Sequence, residues 1–226
     1  MKNFIFVAGL LLLVFPAYAK EQNVSPGINQ HYEGAQYQQW FSTFERPGRE
    51  VYDRREDIVQ ALQLKAGMDV ADIGAGTGFY SLLFARKVGS SGRVYAVDIT
   101  DDFVRNIQRR AADNKLDNIH AIISEQKDTR LDANSIDLAF VCNTYHHFEY
   151  PQAMLASIGR ALRSGGTLVI IDYRKQPATS SPWVMSHVRP DKQTVINEIE
   201  QAGFKLQSEP MNLTENYFLR FVKMGE

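Results

Sequence analysis

The stretch Val70-Ala71-Asp72-Ile73-Gly74-Ala75-Gly76-Thr77-Gly78 reads as a buried strand that ends in an acid, turns through three alternating glycines and enters a helix at Phe79. Glycines in such a turn take backbone angles closed to other residues and bring the chain into contact with a bound nucleoside. Their spacing is G-x-G-x-G with Asp72 two positions ahead, whereas a nicotinamide-dinucleotide turn more usually reads G-x-G-x-x-G. An adenosyl ligand is therefore expected ahead of a dinucleotide. The next apolar run, Arg93-Val94-Tyr95-Ala96-Val97-Asp98, ends in a second acid twenty residues after Gly78. A carboxylate at that strand end can accept both hydroxyls of a ribose.

Beyond these two runs, strands and helices alternate. Strands are predicted at Asp69–Ile73, Arg93–Asp98, Ile119–Ser124, Ile136–Asn143 and Thr167–Tyr173, and helices at Phe79–Val88, Asp101–Lys115, Pro151–Leu162 and Asp191–Ala202. Continuous apolar strands separated by helices imply an α/β fold, a mostly parallel sheet covered on both faces. A helix over Arg49–Leu64 leads into the first strand, and Phe204–Glu209 and Tyr217–Lys223 are predicted to pair as a C-terminal antiparallel hairpin. Residues 20–47 show no sustained period and read as an irregular arm. Within it Tyr37, Trp40, Phe41 and Phe44 recur at helical steps, fitting one short helix that either closes over the ligand as a lid or packs into the core. Residues 48–226 then form one domain, of a size that buries a large core.

Four segments in order resemble the class I S-adenosylmethionine-dependent methyltransferases: Asp72–Gly78, Asp98, Asp137–Phe148 and Ala161–Ile171. The second half is also similar to an exported branch of that family in which Tyr-His-His follows the fourth strand; that likeness brings no substrate with it. The resemblance implies a Rossmann-like seven-stranded sheet in the order 3-2-1-4-5-7-6 with strand seven antiparallel, and S-adenosylmethionine as cofactor. It implies roles as well. Asp72 would hold the methionyl ammonium, the Gly74, Ala75, Gly76, Thr77 and Gly78 backbone its carboxylate, Asp98 the ribose and Ile99 one adenine face. Asp128 stands where relatives often carry the acid that meets the adenine amino group, and Asn143 closes the cofactor set at the end of the fourth strand. Asp98 and Asp128 could instead cap the helices that follow them.

Methyl transfer asks mainly for alignment of the nucleophile opposite the departing sulfur, plus a base if the nucleophile carries a proton. Tyr145, His146 and His147 leave the fourth strand toward that point, and His146 is favoured as the substrate-facing base. His187 and Asp172-Tyr173-Arg174 are further candidates for the same cavity. The segment is not Asn-Pro-Pro-Tyr, so amide and exocyclic nitrogens are poor acceptors and a small molecule is the better one. The five histidines show no His-x-x-x-His pattern and Cys142 is the lone cysteine, so no metal site is read from spacing. Cys142 is either a buried strand residue or a nucleophile.

Composition narrows the partners. With 44% hydrophobic and 23% charged residues and a formal net charge of −1, the chain has no basic face for nucleic acid, and nothing in it points to a protein partner. Lys2, the twelve-residue apolar run Phe4–Phe15 and Ala17-Tyr18-Ala19 form a secretory signal peptide over residues 1–19. Twelve apolar residues fall short of the roughly twenty that span a bilayer, so no stable membrane span is expected after cleavage, and the mature chain is expected to be periplasmic or secreted. Three functions fit: an active methyltransferase, an inactive nucleoside-binding protein of the cell envelope, and a nucleotide-dependent enzyme on a similar sheet, the last disfavoured by the glycine spacing.

Overall fold

The computed structural model describes residues 21–32 and 34–225; residues 1–19, expected to be a signal peptide, lie outside the described residues. The sheet has seven strands: β1 (Asp69–Ile73), β2 (Arg93–Asp98), β3 (Ile119–Ile123), β4 (Ile136–Cys142), β5 (Leu162–Tyr173), β6 (Phe204–Ser208) and β7 (Asn216–Lys223). Their order is β3-β2-β1-β4-β5-β7-β6. β1 to β5 run parallel, and β7 is antiparallel to both β5 and β6. Strand order reverses between β1 and β4, so a crevice opens at their carboxyl ends, where Ile73 pairs with Val97 on one side and Val141 on the other.

Alternation along the strands fills two cores. Ala71, Ile73, Ala139, Val141, Leu168 and Ile170 pack against α6 (Pro151–Ala161) and α8 (Lys192–Gln201), through Leu155, Ile158, Val195 and Ile199. Val70, Leu138, Phe140, Val169 and Ile171 face the other way, onto α3 (Arg55–Leu62) and α4 (Phe79–Val88), through Ile58, Leu62, Tyr80 and Phe84. Strands buried on both faces need apolar residues at every position, which is why the runs read as continuous rather than alternating. Asp72 is the buried exception in β1: a carboxylate 3% exposed between apolar neighbours, whereas Asp69 at the strand's start is only half-buried.

Several boundaries differ from expectation. The Arg49–Leu64 helix is broken at Arg54 into α2 (Glu50–Asp53) and α3. β5 begins at Leu162, directly after α6, with Gly165 at φ +71° inside the strand. α7 (Pro182–His187) was not predicted; Ser181 accepts a hydrogen bond from Val184 N–H at 3.3 Å and Pro182 follows it, a start signal legible in the Ser-Pro pair.

The arm carries the predicted helix, α1 (Tyr37–Phe44), docked on α5 (Asp101–Asp113). Tyr37 N–H donates to Asp102, and Arg110 pairs with Glu45, donates to Thr77 C=O at 2.7 Å and lies over the Phe41 ring. Ahead of α1, Glu21 accepts from the Gln152 and Ala153 N–H groups at 2.7 and 2.9 Å, where a carboxylate is favoured by the dipole of α6. The arm therefore crosses the carboxyl edge of the sheet. Among the described residues no helix is long and apolar enough to cross a membrane.

Candidate active site

β1 ends and the chain turns at once, because Gly74 and Ala75 both donate to Val97 C=O, at 2.8 and 3.0 Å. Gly74 has φ +72°, and a Cβ there would stand 2.2 Å from Thr144 Cγ2. No other residue fits. Gly78 has the same need for another reason: it lies at φ +77° with Ile107 of α5 2.8 Å from a would-be Cβ. Gly78 does not line the cavity, so its expected cofactor contact is corrected to a packing role.

The cavity over this turn holds about 1050 Å³, part of it open to solvent, and is lined by Asp72, Gly74 to Thr77, Asp98, Ile99, Asn143 and His147. Tyr32 and Phe44 of the arm form its roof, with Phe44 close enough that a Cβ on Gly76 would lie 3.2 Å from its ring. Asp98 accepts from Gly76 N–H at 2.8 Å and from Thr100 N–H at 2.9 Å, so one carboxylate both steadies the entry to α5 and faces the cavity. Asp72 accepts from Ser81 Oγ at 2.6 Å. Neither acid has a cationic partner among the described residues. Burial pushes Asp72 up to about 7 against the Ser81 hydrogen bond, with Asp98 adding to the rise; burial raises Asp98 too.

Two more features ask for a ligand. Asn143 sits in the left-handed region at φ 49°, and both polar atoms of its buried amide are without a partner. Ile99, 40% exposed, turns an apolar face into the cavity. Two buried acids without cations, an unsatisfied amide and a bare apolar face fit an adenosyl group that carries an ammonium.

Asp128 is not part of this site. Glu125 N–H donates to Asp128 C=O at 2.8 Å, which turns the chain back, and the Asp128 carboxylate meets Arg160 at 3.0 Å, Ser157 Oγ at 3.0 Å and Arg130 N–H at 2.8 Å. Burial opposes ionisation there, but these donors outweigh it and hold the carboxyl below its usual range. Ser124, Glu125 and Gln126 supply the cavity wall instead.

Tyr145 is corrected as well. It is fully buried and donates to Glu198 Oε2 at 2.8 Å, a carboxylate already gripped by both Arg189 amino groups at 2.8 and 2.9 Å. Burial and that carboxylate raise the phenol well above its ordinary range, and it serves to tie the turn Tyr145–His147 to α8. Cys142 borders the cavity, but burial drives its thiol far up, which removes the nucleophilic reading.

A second cavity, about 1650 Å³, adjoins the first and shares Tyr32, Phe44, Arg49, Asn143 and His147 with it. Its other walls include His146, Tyr173, Trp183, Arg46 and Arg174. His146 is buried, and its Nδ1 lies 2.8 and 3.0 Å from the two Asp172 oxygens; Asp172 also accepts from His146 N–H and Tyr173 N–H. With the proton held on Nδ1, the Nε2 lone pair is left without a partner. His147 borders both cavities, and burial, helped by His146 and His187, holds it down to about 2, so it is neutral. His187, at the end of α7, closes on the pair, with ring centroids 5.3 Å from His146 and 5.2 Å from His147. Sequence reading missed the arm's Asn29 and Tyr32, Arg49 at the start of α2 and α7's Trp183; only the aromatic run in the arm hinted at them.

Comparison with known proteins agrees with this geometry. Residues 64–216 match a family described as a methyltransferase domain. Among curated proteins, the ubiquinone/menaquinone biosynthesis C-methyltransferase UbiE of Blochmanniella floridana is 29% identical over 120 residues, covering 53% of this chain and 47% of that protein. UbiE of Shewanella pealeana is 23% identical over 186 residues, 70% of this chain and 74% of that one. The crystal structure of a SAM-dependent methyltransferase from Aquifex aeolicus is similar at TM-score 0.74 and 25% identity, over 83% of this chain and 98% of that chain. The chain spans about half the length of several curated relatives it matches. The chain belongs to the class I S-adenosylmethionine-dependent methyltransferases, and S-adenosylmethionine is the cofactor this fold serves.

Proposed function

We propose that this protein transfers a methyl group from S-adenosylmethionine to a small, hydroxylated aromatic ring, at ring carbon. The observation that carries the reading is the second cavity: Tyr32, Phe44, Tyr173 and Trp183 give it aromatic walls, Arg46, Arg49 and Arg174 give it positive charge, and it joins the cofactor cavity at Asn143 and His147. Flat walls suit a flat acceptor, and arginines suit an anionic one. The UbiE relatives, C-methyltransferases of ubiquinone and menaquinone biosynthesis, support the same acceptor class.

In this reading Asp72 takes the methionyl ammonium, Asp98 the ribose and Ile99 the adenine. When bound, S-adenosylmethionine supplies an electrophilic methyl that carries its own leaving group. The protein then has to position the ring and draw off its hydroxyl proton, which makes the ring carbon nucleophilic. The Asp172–His146 pair is built for that: the carboxylate fixes the tautomer and Nε2 accepts the proton. The experiment is methyl transfer from isotopically labelled S-adenosylmethionine to a panel of dihydroxyaromatic acids, aliphatic amines and thiols, read by mass spectrometry. Transfer to the ring carbon of the aromatic acids is expected; transfer confined to amines or thiols would overturn the acceptor class.

We further propose that the mature chain is exported, on the strength of residues 1–19. Protein from its native host should begin at Lys20, and an intact Met1 in the cytosolic fraction would refute export.

A further inference from the structure

We propose that His146, His147 and His187 form a site for one divalent transition-metal ion of the zinc class, at the junction of the two cavities. The three side chains each bring a ring nitrogen within 4.8 Å of the others. Two come from adjacent positions of the turn after β4 and the third from the end of α7, which is why no spacing in the sequence announced them.

Crowded imidazoles alone would not make a site. The second observation is that His146 Nε2 and His147 Nδ1 are both buried and have no hydrogen-bond partner. A buried polar atom left unpaired keeps its full desolvation penalty, so native structures give such atoms a partner. The third is Asp172, whose carboxylate sits on the opposite nitrogen of His146, at 2.8 and 3.0 Å. A carboxylate behind a histidine fixes the ring and strengthens its free nitrogen as a donor to a metal. Nothing comparable stands behind His187. Its ring is stacked on Trp183, centroids 4.6 Å apart and planes 21° from parallel, and Trp183 in turn lines the second cavity.

Zinc–imidazole bonds of about 2.0–2.1 Å in tetrahedral geometry set nitrogens roughly 3.4 Å apart, so the rings must close by up to about 1.4 Å around an ion. His147 and His187 are both half-buried, and His187, at the end of the six-residue α7, stands on a different element from the other two. Three imidazoles favour zinc, copper, nickel or iron over magnesium or calcium. Three protein ligands would leave a further coordination position open to an acceptor's hydroxyl oxygen. With an ion bound, the proton-accepting role proposed above for His146 would pass to the metal, whose charge would lower the pKa of an acceptor's hydroxyl so that its proton is lost to solvent. The site stands on the three side chains and not on the identity of the acceptor.

The test is to strip the purified protein with a chelator and titrate it with Zn²⁺ against a competing indicator, with Co²⁺ as a visible-absorption probe. S-adenosylhomocysteine binding is measured in parallel by calorimetry. One equivalent of Zn²⁺ and the intense absorption of low-coordinate Co²⁺ are expected. His187→Ala and His147→Ala should each weaken Zn²⁺ binding at least tenfold, and Asp172→Asn by about 10–100-fold. His120→Ala, an exposed histidine on β3, should leave it unchanged. Intact S-adenosylhomocysteine binding shows that a variant is folded; His187→Asn replaces His187→Ala if that variant fails this check. No Zn²⁺ bound to the unaltered protein, or binding undiminished in a folded His187 variant, overturns the site. Loss of S-adenosylhomocysteine binding by the unaltered protein would overturn the methyltransferase reading and leave the metal site standing.

Discussion

The cofactor cavity and the acceptor cavity share a wall at Asn143 and His147, but they are built from the chain in opposite ways. The floor and one side of the first come from a run of six residues, Asp72 to Thr77, and from Asp98, which the parallel register of β1 and β2 brings beside it. The second draws on the arm, the turn after β4, the end of β5, α7 and the loop before β7. The first is backbone and buried acid held by a sheet; the second is side chains on loops and short helices. Such an arrangement lets one ligand stay fixed while the other varies.

If the division is real, damage on the acceptor side should change turnover and spare cofactor affinity, and damage on the cofactor side should do the reverse. The largest effect is expected from His146→Ala, which should lower turnover by about 10²–10⁴ with S-adenosylhomocysteine affinity unchanged. Asp172 keeps two backbone donors in that variant, so the fold should survive. Full-rate turnover would remove His146 from the chemistry and leave His147 as the next to test. On the other side, Asp98→Ala removes charge-assisted bonds of roughly 1.5–3 kcal/mol each and should weaken S-adenosylhomocysteine at least tenfold in calorimetry. Unchanged affinity would move the ribose contact elsewhere.

The buried state of Asp72 predicts a pH dependence. Its folded pKa, about 7, lies above the unfolded value near 3.8, so the native state holds the proton more tightly. Between those two values stability falls as pH rises, and the acid becomes charged only above about 7. A ligand ammonium prefers the ionised form. S-adenosylhomocysteine affinity should therefore rise by up to about tenfold per unit as pH approaches 7 from below, then level off, and Asp72→Asn should flatten the curve. A flat curve for the unaltered protein would show that no cation meets Asp72.

Smaller effects should come from the edges. Tyr32→Ala strips a ring that stacks near Trp40 and His147 and roofs both cavities, so KM for the acceptor should rise several-fold with kcat little changed; the opposite split would make the arm part of the chemistry. Asp128→Asn should leave S-adenosylhomocysteine affinity untouched and cost under about 1 kcal/mol of stability in a denaturant titration, because its partner Arg160 is half exposed. A tenfold loss of affinity would restore Asp128 to the site.

The fold and the cofactor half of the site were legible in the chain's local pattern, and the exceptions are instructive. The antiparallel C-terminal hairpin, α1 and the approach of Asp72 and Asp98 follow from that pattern plus the rule that parallel strands place their carboxyl ends together, whereas the sheet order was implied only by the family resemblance. Asp128 failed because proximity to a strand end does not fix which way a side chain turns; a turn closed by Glu125 and Asp128 aims it at Arg160. At Gly78 the positive backbone angle is visible in the glycine spacing, but the Ile107 methylene beneath it, which leaves no room for a Cβ, is not.

What the sequence by itself determined, then, is every feature whose cause is short-range: the continuous apolar strands, the glycines that must turn through positive φ, and acids at strand ends. The tertiary structure alone decided what depends on distant segments meeting. It drew Tyr145 away to Glu198, set Asp172 behind His146, laid Tyr32 and Phe44 over the glycine turn and brought His187 to the other two histidines. The physical reason is that hydrophobic pattern and backbone sterics act within a few residues, while burial, tautomer and charge are properties of what a side chain touches, and contact is fixed only when the chain has packed.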